Sequence, residues 1–252
     1  MFQEERMDHI LKFVSKNHRI SVEDICTLYN VSRDTARRDL VALEKQGEIV
    51  RTHGGAILPS KKEYLKTYGE RLQIDSTEKL KISEKALSLI SPGDAIFMDT
   101  STTVQSLAEI MDLKELSVVT NSINVGDILS KNSSISITML GGTLNIDHRF
   151  LYGPSTLAML SNYNFTKAFI GGMALSSKGL TGIYEEAAAI IRQVIKNSDE
   201  VILLIDHSKL DKTSFIKICD LKDIDVIITD KLPKEDFIEM LKENQVTLFV
   251  AE

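Results

Sequence analysis

The sequence predicts an α/β protein of two domains: an N-terminal winged helix-turn-helix and a larger domain with a mostly parallel β-sheet. Three observations lead to this prediction. The chain has 252 residues, which is long for one domain and suits two. Its first 58 residues contain three helical apolar stripes and then a glycine-tipped hairpin pattern. From residue 80 onwards, short apolar runs alternate with helical stretches, as in a sheet covered on both faces.

The first two helices are predicted from apolar spacing and from a capping sequence. The first has apolar residues at positions i, i+3, i+4 and i+7, namely Met7, Ile10, Leu11 and Val14. Ser21 caps the second helix, and Asp24 three residues later completes a capping box. The side chains expected to face inward on this second helix are Val22, Ile25 and Leu28.

A third helix is predicted from Ser32, which acts as its N-cap. Its inward stripe consists of Ala36, Leu40 and Leu43. A basic group of three arginines lies mainly off that stripe, on the first turn and a half of the helix (Arg33, Arg37 and Arg38). In a helix-turn-helix, this end of the second paired helix enters the major groove. Arginine there can bond guanine edges and pair with phosphates.

A β-hairpin is predicted next, because two short apolar stretches flank Gly54 and Gly55. Three helices followed by a hairpin make a winged helix. Arg51 and His53 would lie on the wing, near phosphates or the minor groove. The residues predicted to contact double-stranded DNA are Ser32, Arg33, Thr35, Arg37, Arg38, Arg51 and His53.

Charge alone does not explain an affinity for DNA. The first 58 residues carry nine Lys/Arg and nine Asp/Glu, so the remainder of the chain carries the whole formal net charge of -6. Binding to a polyanion must therefore come from the local placement of the arginines. The alternative is a small helical domain with a solvated arginine face. The order of helices, caps and wing favours DNA binding.

The second domain is expected at 76–252, after a polar linker at 59–75 and the winged helix at 1–58. Apolar runs predict strands at 95–98, 116–120, 135–140, 167–170, 201–205, 225–229 and 246–250. Helices are predicted between most of these strands, at 78–90, 103–111, 123–131, 185–197 and 233–243.

Small polar motifs follow five of the predicted strands: "DTSTT" (99–103), "NS" (121–122), "GG" (141–142), "GG" (171–172) and "DHSK" (206–209). Ligands of open α/β sheets bind at the carboxyl ends of strands, so the motifs suggest one crevice. "DTSTT" lies between a strand and a helix, where backbone N–H groups and hydroxyls suit a phosphate. Taken alone, a Ser/Thr-rich turn is usually a helix cap and a Gly-Gly pair is usually a turn, but the motifs together favour a phosphate-binding crevice.

Roles follow from residue chemistry. Gly141 and Gly142 would allow the backbone to approach a ligand closely. Lys209 could supply positive charge to a phosphate. The side chains suited to bonding sugar hydroxyls are Asp99, Asn121 and Glu185.

Other classes of site find little support in the sequence. Cys26 and Cys219 lie too far apart for a metal motif or a disulfide framework. Asp206 and His207 could form an acid/base pair, but no nucleophile pattern surrounds them, so we expect no catalytic residues and no cofactor. No apolar run is long enough for a membrane helix and no signal peptide is recognisable, which predicts a cytoplasmic protein.

The stretch "VSRDTARRDLVALEKQGEIVRTHGGA" (31–56) resembles the N-terminal signature of DeoR-type bacterial transcription regulators. The motifs "DTSTT", "TNS", "LGG", "LYGP", "FIGG" and "DHSK" appear in family order, so the resemblance covers nearly the whole chain. It implies a sensor domain similar in fold to ribose-5-phosphate isomerase and glucosamine-6-phosphate deaminase, binding a phosphorylated sugar.

The resemblance also implies particular effector-binding residues. Phosphate contacts are assigned to Thr100, Ser101, Thr102 and Thr103. The pocket is expected to be lined by Asp99, Asn121, Gly141, Gly142, Gly171, Glu185 and Lys209.

The sequence thus predicts a transcription regulator, expected to be a repressor of sugar-metabolism genes, whose operator binding responds to a phosphorylated sugar. Two-fold operators imply a homo-oligomer, a dimer or a tetramer. An alternative is a sugar-phosphate isomerase or deaminase-like enzyme fused to a DNA-binding module. A further one is an architectural DNA-binding protein without a ligand.

Overall fold

A computed structural model describes residues 3–17, 19–45, 49–52, 54–57, 68–74 and 76–251. The chain divides into two compact units, 1–66 and 67–252. The linker expected at 59–75 lies outside the described residues except for 68–74, which belong to the second unit. The domain boundaries drawn from the sequence stay predictions.

The first unit has three helices and a small antiparallel sheet. The helices are α1 (Gln3–Asn17), α2 (Val22–Tyr29) and α3 (Arg33–Lys45). The strands are β1 (Arg19–Ser21), β2 (Val50–Thr52) and β3 (Gly55–Ile57), with β3 in the middle. The three predicted helices and the hairpin are confirmed. β1, a third strand that pairs with β3, was not predicted.

The core of the first unit confirms the predicted stripes with one exception. Ile10, Ala36 and Leu43 are fully buried, and Ser21 and Asp24 form the predicted capping box at the start of α2. The inward position expected for Leu28 is wrong, because this side chain is 51% exposed. Tyr29 packs on the core instead, since the stripe of α2 follows positions i, i+3, i+4 and i+7 from Val22.

The second unit is built on a seven-stranded, wholly parallel sheet with the strand order β15-β14-β12-β9-β4-β5-β6. The strands on one side are β4 (Ala95–Met98), β5 (Leu116–Thr120) and β6 (Ile135–Met139). Those on the other side are β9 (Phe165–Gly171), β12 (Ser198–Leu204), β14 (Val226–Thr229) and β15 (Thr247–Val250). The direction of winding therefore reverses between β4 and β9.

Helices cover both faces of this sheet. Those in the described chain are α4 (Tyr68–Gln73), α5 (Ser76–Leu87), α6 (Thr102–Ile110), α7 (Ile123–Leu129), α8 (Pro154–Leu160), α9 (Glu185–Lys196) and α10 (Glu235–Glu243). Two hydrophobic clusters divide them: α5, α6 and α7 pack on one face, and α8, α9 and α10 on the other. Ile96 and Met98 belong to one cluster and Phe97 to the other, as the alternation of a strand requires.

Two smaller sheets complete the unit. A hairpin is formed by β7 (Thr143–Asn145) and β8 (Phe150–Tyr152). An antiparallel sheet is formed by β10 (Ala174–Ser176), β11 (Gly179–Gly182) and β13 (Ile216–Cys219). These strands were not predicted, whereas all seven strands of the parallel sheet were.

Candidate functional sites: a nucleic-acid interface and a ligand cavity

The start of α3 presents its arginines to solvent. Ser32 accepts a hydrogen bond from the backbone N–H of Thr35 at 3.2 Å, which fixes the first turn. Because Ala36 and Leu40 are buried beneath it, Arg37 and Arg38 lie on the outer side, and both are exposed. Within the described residues neither arginine has an ion pair.

Arg33, the third member of the basic group, is already paired on the surface. Its Nη2 lies 2.6 Å from Oε1 of Glu23 on α2, with the two side chains 66% and 76% exposed. An ion pair this exposed contributes little stability. A phosphate can therefore replace Glu23 as the partner of Arg33 at small cost.

Asp39, which follows the two adjacent arginines, is buried rather than exposed. Its Oδ2 lies 2.5 Å from Nε of Arg6 and its Oδ1 lies 3.2 Å from Nη2 of the same guanidinium. Gln3 donates a further hydrogen bond to Oδ1 at 3.1 Å. This two-pronged pair joins α1 to α3 and raises the pKa of Arg6 through the hydrogen bond with Asp39. The sequence analysis missed the pair, because its partners are far apart along the chain.

The predicted wing corresponds to β2 and β3. Arg51 lies in β2 and pairs through its backbone with Ala56, but its side chain is outside the described part of the structure. His53 is outside the described residues. Their predicted contacts with DNA stay predictions.

A cavity of about 110 Å³ lies at the carboxyl ends of the parallel strands of the second unit. It is lined by Asp99, Thr100 and Ser101 after β4, and by Gly171 and Gly172 at the end of β9. β4 and β9 are the neighbouring strands between which the winding reverses. Such a switch point is where open α/β sheets bind ligands.

Asp99 shapes the polar end of the cavity. Its carboxylate accepts a hydrogen bond from the N–H of Ser101 and another from the N–H of Gly171, each at 2.7 Å. Burial raises the pKa of Asp99, and these two hydrogen bonds offset part of that effect. Asp99 thereby holds the loop after β4 against the end of β9.

The loop after β4 leads directly into a helix. Ser101 is the N-cap of α6 and accepts a hydrogen bond from the N–H of Val104 at 3.1 Å. The first N–H groups of a helix lack partners within the helix and favour an anion. Asn121, which is buried after β5, lines the same end of the cavity.

Three further polar residues of the cavity were missed by the sequence analysis. They are Arg71 from α4, His148 from the β7–β8 loop and Tyr184 from the segment before α9. Arg71 is the only lysine or arginine among the described residues that line the cavity. Burial lowers its pKa, but an arginine remains protonated at neutral pH.

His148 lies between Arg71 and Tyr184. Its Nδ1 lies 3.5 Å from Nη2 of Arg71 and its Nε2 lies 2.8 Å from Oη of Tyr184. Burial, followed by the charge of Arg71, lowers the pKa of His148. Both effects favour a neutral ring, which can accept at one nitrogen and donate at the other.

The cavity also has an apolar lining. Its apolar side chains include Met173, Ile183, Ile190, Ile191 and Ile218. The cavity therefore combines one cation, Arg71, and several hydrogen-bonding side chains with a set of apolar side chains.

Six residues predicted for the effector site do not line this cavity: Thr102, Thr103, Gly141, Gly142, Glu185 and Lys209. Thr102 and Thr103 are buried in the first turn of α6. The carbonyl of Gly141 accepts a hydrogen bond from Thr156 at 2.6 Å, and a side chain at Gly142 would collide with the same threonine.

The two charged members of that set have partners elsewhere. Glu185 forms an exposed ion pair with Arg192 at 2.5 Å. Lys209 pairs with the buried Asp206 at 2.8 Å. The acid/base pair considered for Asp206 and His207 is not formed, because His207 bonds instead to Asp230, with Nδ1 and Oδ2 2.6 Å apart.

Comparison with protein families matches both units. Residues 6–62 match the DeoR-like helix-turn-helix domain and residues 74–231 match the DeoR C terminal sensor domain. The chain belongs to the DeoR family. This confirms the predicted resemblance and makes the protein a DeoR-family transcription regulator with a DNA-binding unit and a sensor unit.

Curated relatives of this DeoR-family regulator match over nearly their full length. It is 48% identical to the HTH-type transcriptional repressor GlcR of Bacillus subtilis, covering 100% of this chain and 98% of the relative. It is 31% identical to the Glycerol-3-phosphate regulon repressor of Haemophilus influenzae, covering 100% and 98%. It is 32% identical to the Lactose phosphotransferase system repressor of Staphylococcus aureus, covering 96% and 97%.

Solved structures resemble parts of the DeoR-family chain. One is ribose 5-phosphate isomerase A from Neisseria gonorrhoeae, with 17% identity, a TM-score of 0.39 and coverage of 52% of each chain. Another is eIF2B beta from Chaetomium thermophilum, with 17% identity, a TM-score of 0.41 and coverage of 60% and 48%.

Among the described residues, no helix is long and apolar enough to span a bilayer.

Proposed function

We propose that this DeoR-family regulator is a repressor that binds operator DNA through α3 and the wing, and that a phosphorylated sugar modulates this binding. The residues proposed to meet DNA are Ser32, Arg33, Thr35, Arg37, Arg38, Arg51 and His53. The relatives named above are repressors, which supports this sign of regulation. The enzyme alternative has no such support, and we expect no turnover of any phosphosugar.

The cavity at the switch point carries the proposal of a phosphosugar effector. It combines the N-terminus of α6, the cation of Arg71 and hydrogen-bonding groups from Asp99 and Asn121. A phosphate suits a cation beside helix N–H groups, and a sugar hydroxyl suits a carboxylate or an amide. We therefore propose that the effector contacts Asp99, Thr100, Ser101, Asn121 and Gly171, and that the six predicted residues outside the cavity do not contact it directly.

Operator binding in the presence of sugars tests the proposed function. A DNA site is first selected from random duplexes with the full chain, and its affinity is measured by fluorescence anisotropy. The titrated compounds are glycerol 3-phosphate and hexose, pentose and amino-sugar phosphates, each beside its unphosphorylated counterpart. We expect one phosphosugar to change the affinity while its counterpart does not. No selected site, or no response to any phosphosugar, would contradict the proposal.

Oligomerisation belongs to the same proposal. A ligand regulates only if it binds one arrangement of the protein better than another. Paired winged helices on a two-fold operator offer such arrangements. We expect light scattering after size exclusion to give the mass of a dimer or a tetramer of the 28.2 kDa chain.

A further inference from the structure

The guanidinium of Arg71 forms no ion pair with any described carboxylate, although the charge of the buried Asp99 in the same cavity acts on it. Its Nε is buried without a hydrogen-bond partner in the described structure. Its contacts are the 3.5 Å approach of Nη2 to His148 and a position 5.5 Å from the ring centroid of Tyr68. Arg71 is half-buried, and a direct pair with an anion would satisfy its buried Nε and offset the cost of that burial.

The element that carries Arg71 is short. α4 has six residues, fewer than a helix needs to be stable on its own. Its described anchors include a backbone hydrogen bond from Tyr68 to Asp147 at 3.2 Å and a side-chain hydrogen bond from Tyr68 to Gln105. Lys79 donates to the carbonyl of Arg71. The position of α4 therefore depends on contacts with other parts of the second unit, including residues beside the cavity.

α4 lies close in sequence to the connection between the two units. α4 is the first described element of the second unit, and the chain before it leads to the DNA-binding unit. All other residues that line the cavity in the described structure come later in the chain, from Asp99 onwards. Arg71 is thus the lining residue closest in sequence to the connection between the two units.

We propose that the anionic group of the effector pairs with Arg71, and that this pairing fixes α4 and so carries occupancy of the cavity to the segment that leads to the DNA-binding unit. The inference rests on the proposed function. The planar fork of arginine can hold two oxygens of a phosphate at once. His148 contacts both Arg71 and Tyr184, and all three side chains line the cavity beside the proposed anionic group.

Hydrogen exchange and binding measured on the full chain test this inference. The probes are inorganic phosphate and the phosphosugars of the operator experiment. We expect the probe that binds best to slow amide exchange in residues 68–73 and to raise the melting temperature of the wild-type protein. Arg71→Gln removes the charge and should weaken binding of that probe at least tenfold, with loss of the protection of α4. Arg71→Lys keeps the charge without the fork and should fall between the two.

Arg192→Gln is the matched control, because Arg192 is a partly exposed arginine of the same unit that does not line the cavity and bonds to Glu185 and to the carbonyl of Lys217. It should bind the probe and protect α4 as the wild type does. Circular dichroism checks that each variant is folded, and Arg71→Lys provides the test if Arg71→Gln is not.

The outcomes separate the inference from the proposed function. Suppose that a phosphosugar acts on operator binding and that Arg71→Gln binds it as tightly as the wild type. The role of Arg71 is then overturned and the proposed function stands. Arg71→Lys is judged in the same way if Arg71→Gln does not fold. If binding needs Arg71 but exchange in α4 does not change, the transmission through α4 is overturned. If no probe binds the wild-type protein, both fail.

Discussion

At the scale of single residues, Arg37 tests the assignment of α3 as the recognition helix. Arg37 is exposed and has no ion pair among the described residues, so its substitution should not disturb the fold. Arg37→Ala should weaken operator binding by roughly 1–3 kcal/mol if the guanidinium contacts a base. Fluorescence anisotropy with the selected operator measures the loss. Lys12→Ala, which removes an exposed cation from α1, is the control and should bind normally.

Asp39 is adjacent to the arginines but has the opposite role. Asp39→Ala would remove the carboxylate that accepts two hydrogen bonds from the buried guanidinium of Arg6. Removing one partner of a buried ion pair costs about 3–5 kcal/mol, so we expect the first unit to unfold at markedly lower urea concentration. The control is Asp8→Ala, which breaks an exposed ion pair on α1, the helix that carries Arg6. It should change stability by less than about 1 kcal/mol. Equal effects of the two substitutions would refute the structural role of Asp39.

At the scale of elements, the close contact between β9 and the loop after β4 requires a glycine at position 171. A Cβ at this position would collide with the side chain of Ser101. Gly171→Ala should therefore displace the loop, weaken the phosphosugar response and destabilise the fold by roughly 1–3 kcal/mol through overpacking. Gly141→Ala is the matched control, since a Cβ there meets nothing within 4 Å. Thermal unfolding and effector titration compare the two variants, and a Gly171→Ala protein that responds normally would move the site elsewhere.

The elements that the sequence predicts correctly are those with a strong local pattern. β4, β5 and β14 are apolar runs that are mostly buried, and α9 and α10 have apolar stripes with buried residues. β10 and β7 have only three residues each. Strands this short are stabilised by their partners across the ladder, and that pairing is not visible in a local window of sequence.

At the scale of the whole molecule, the sequence could predict only part of the cavity lining. Motifs after β4, β5 and β9 identified Asp99, Ser101, Asn121 and Gly171, because carboxyl ends of parallel strands meet at one edge. Lys209 was expected there on the same reasoning. It follows β12, which is separated from β4 by β9, and it pairs with Asp206. Strand order therefore decides which motifs meet.

The remaining polar residues of the cavity come from outside the parallel sheet. Arg71 precedes β4, the first strand of that sheet along the chain, and His148 lies in a hairpin loop that the sequence did not predict. Neither residue belongs to a motif with a recognisable chemistry. The usable signal was a single arginine inside the predicted polar linker at 59–75, which alone is typical of any solvated surface.

Salt dependence distinguishes local recognition by arginines from attraction by bulk charge. The full chain carries a formal net charge of -6, which opposes approach to DNA, so operator binding must depend on a few phosphate contacts of the DNA-binding unit. Removing one arginine that pairs with a phosphate should lower the slope of log affinity against log salt by about 1. We expect Arg38→Ala to reduce that slope if Arg38 pairs with a phosphate, and Arg37→Ala to leave the slope unchanged if Arg37 reads a base. Anisotropy titrations at several salt concentrations measure both slopes. Identical slopes for wild type and Arg38→Ala would show that Arg38 does not pair with a phosphate.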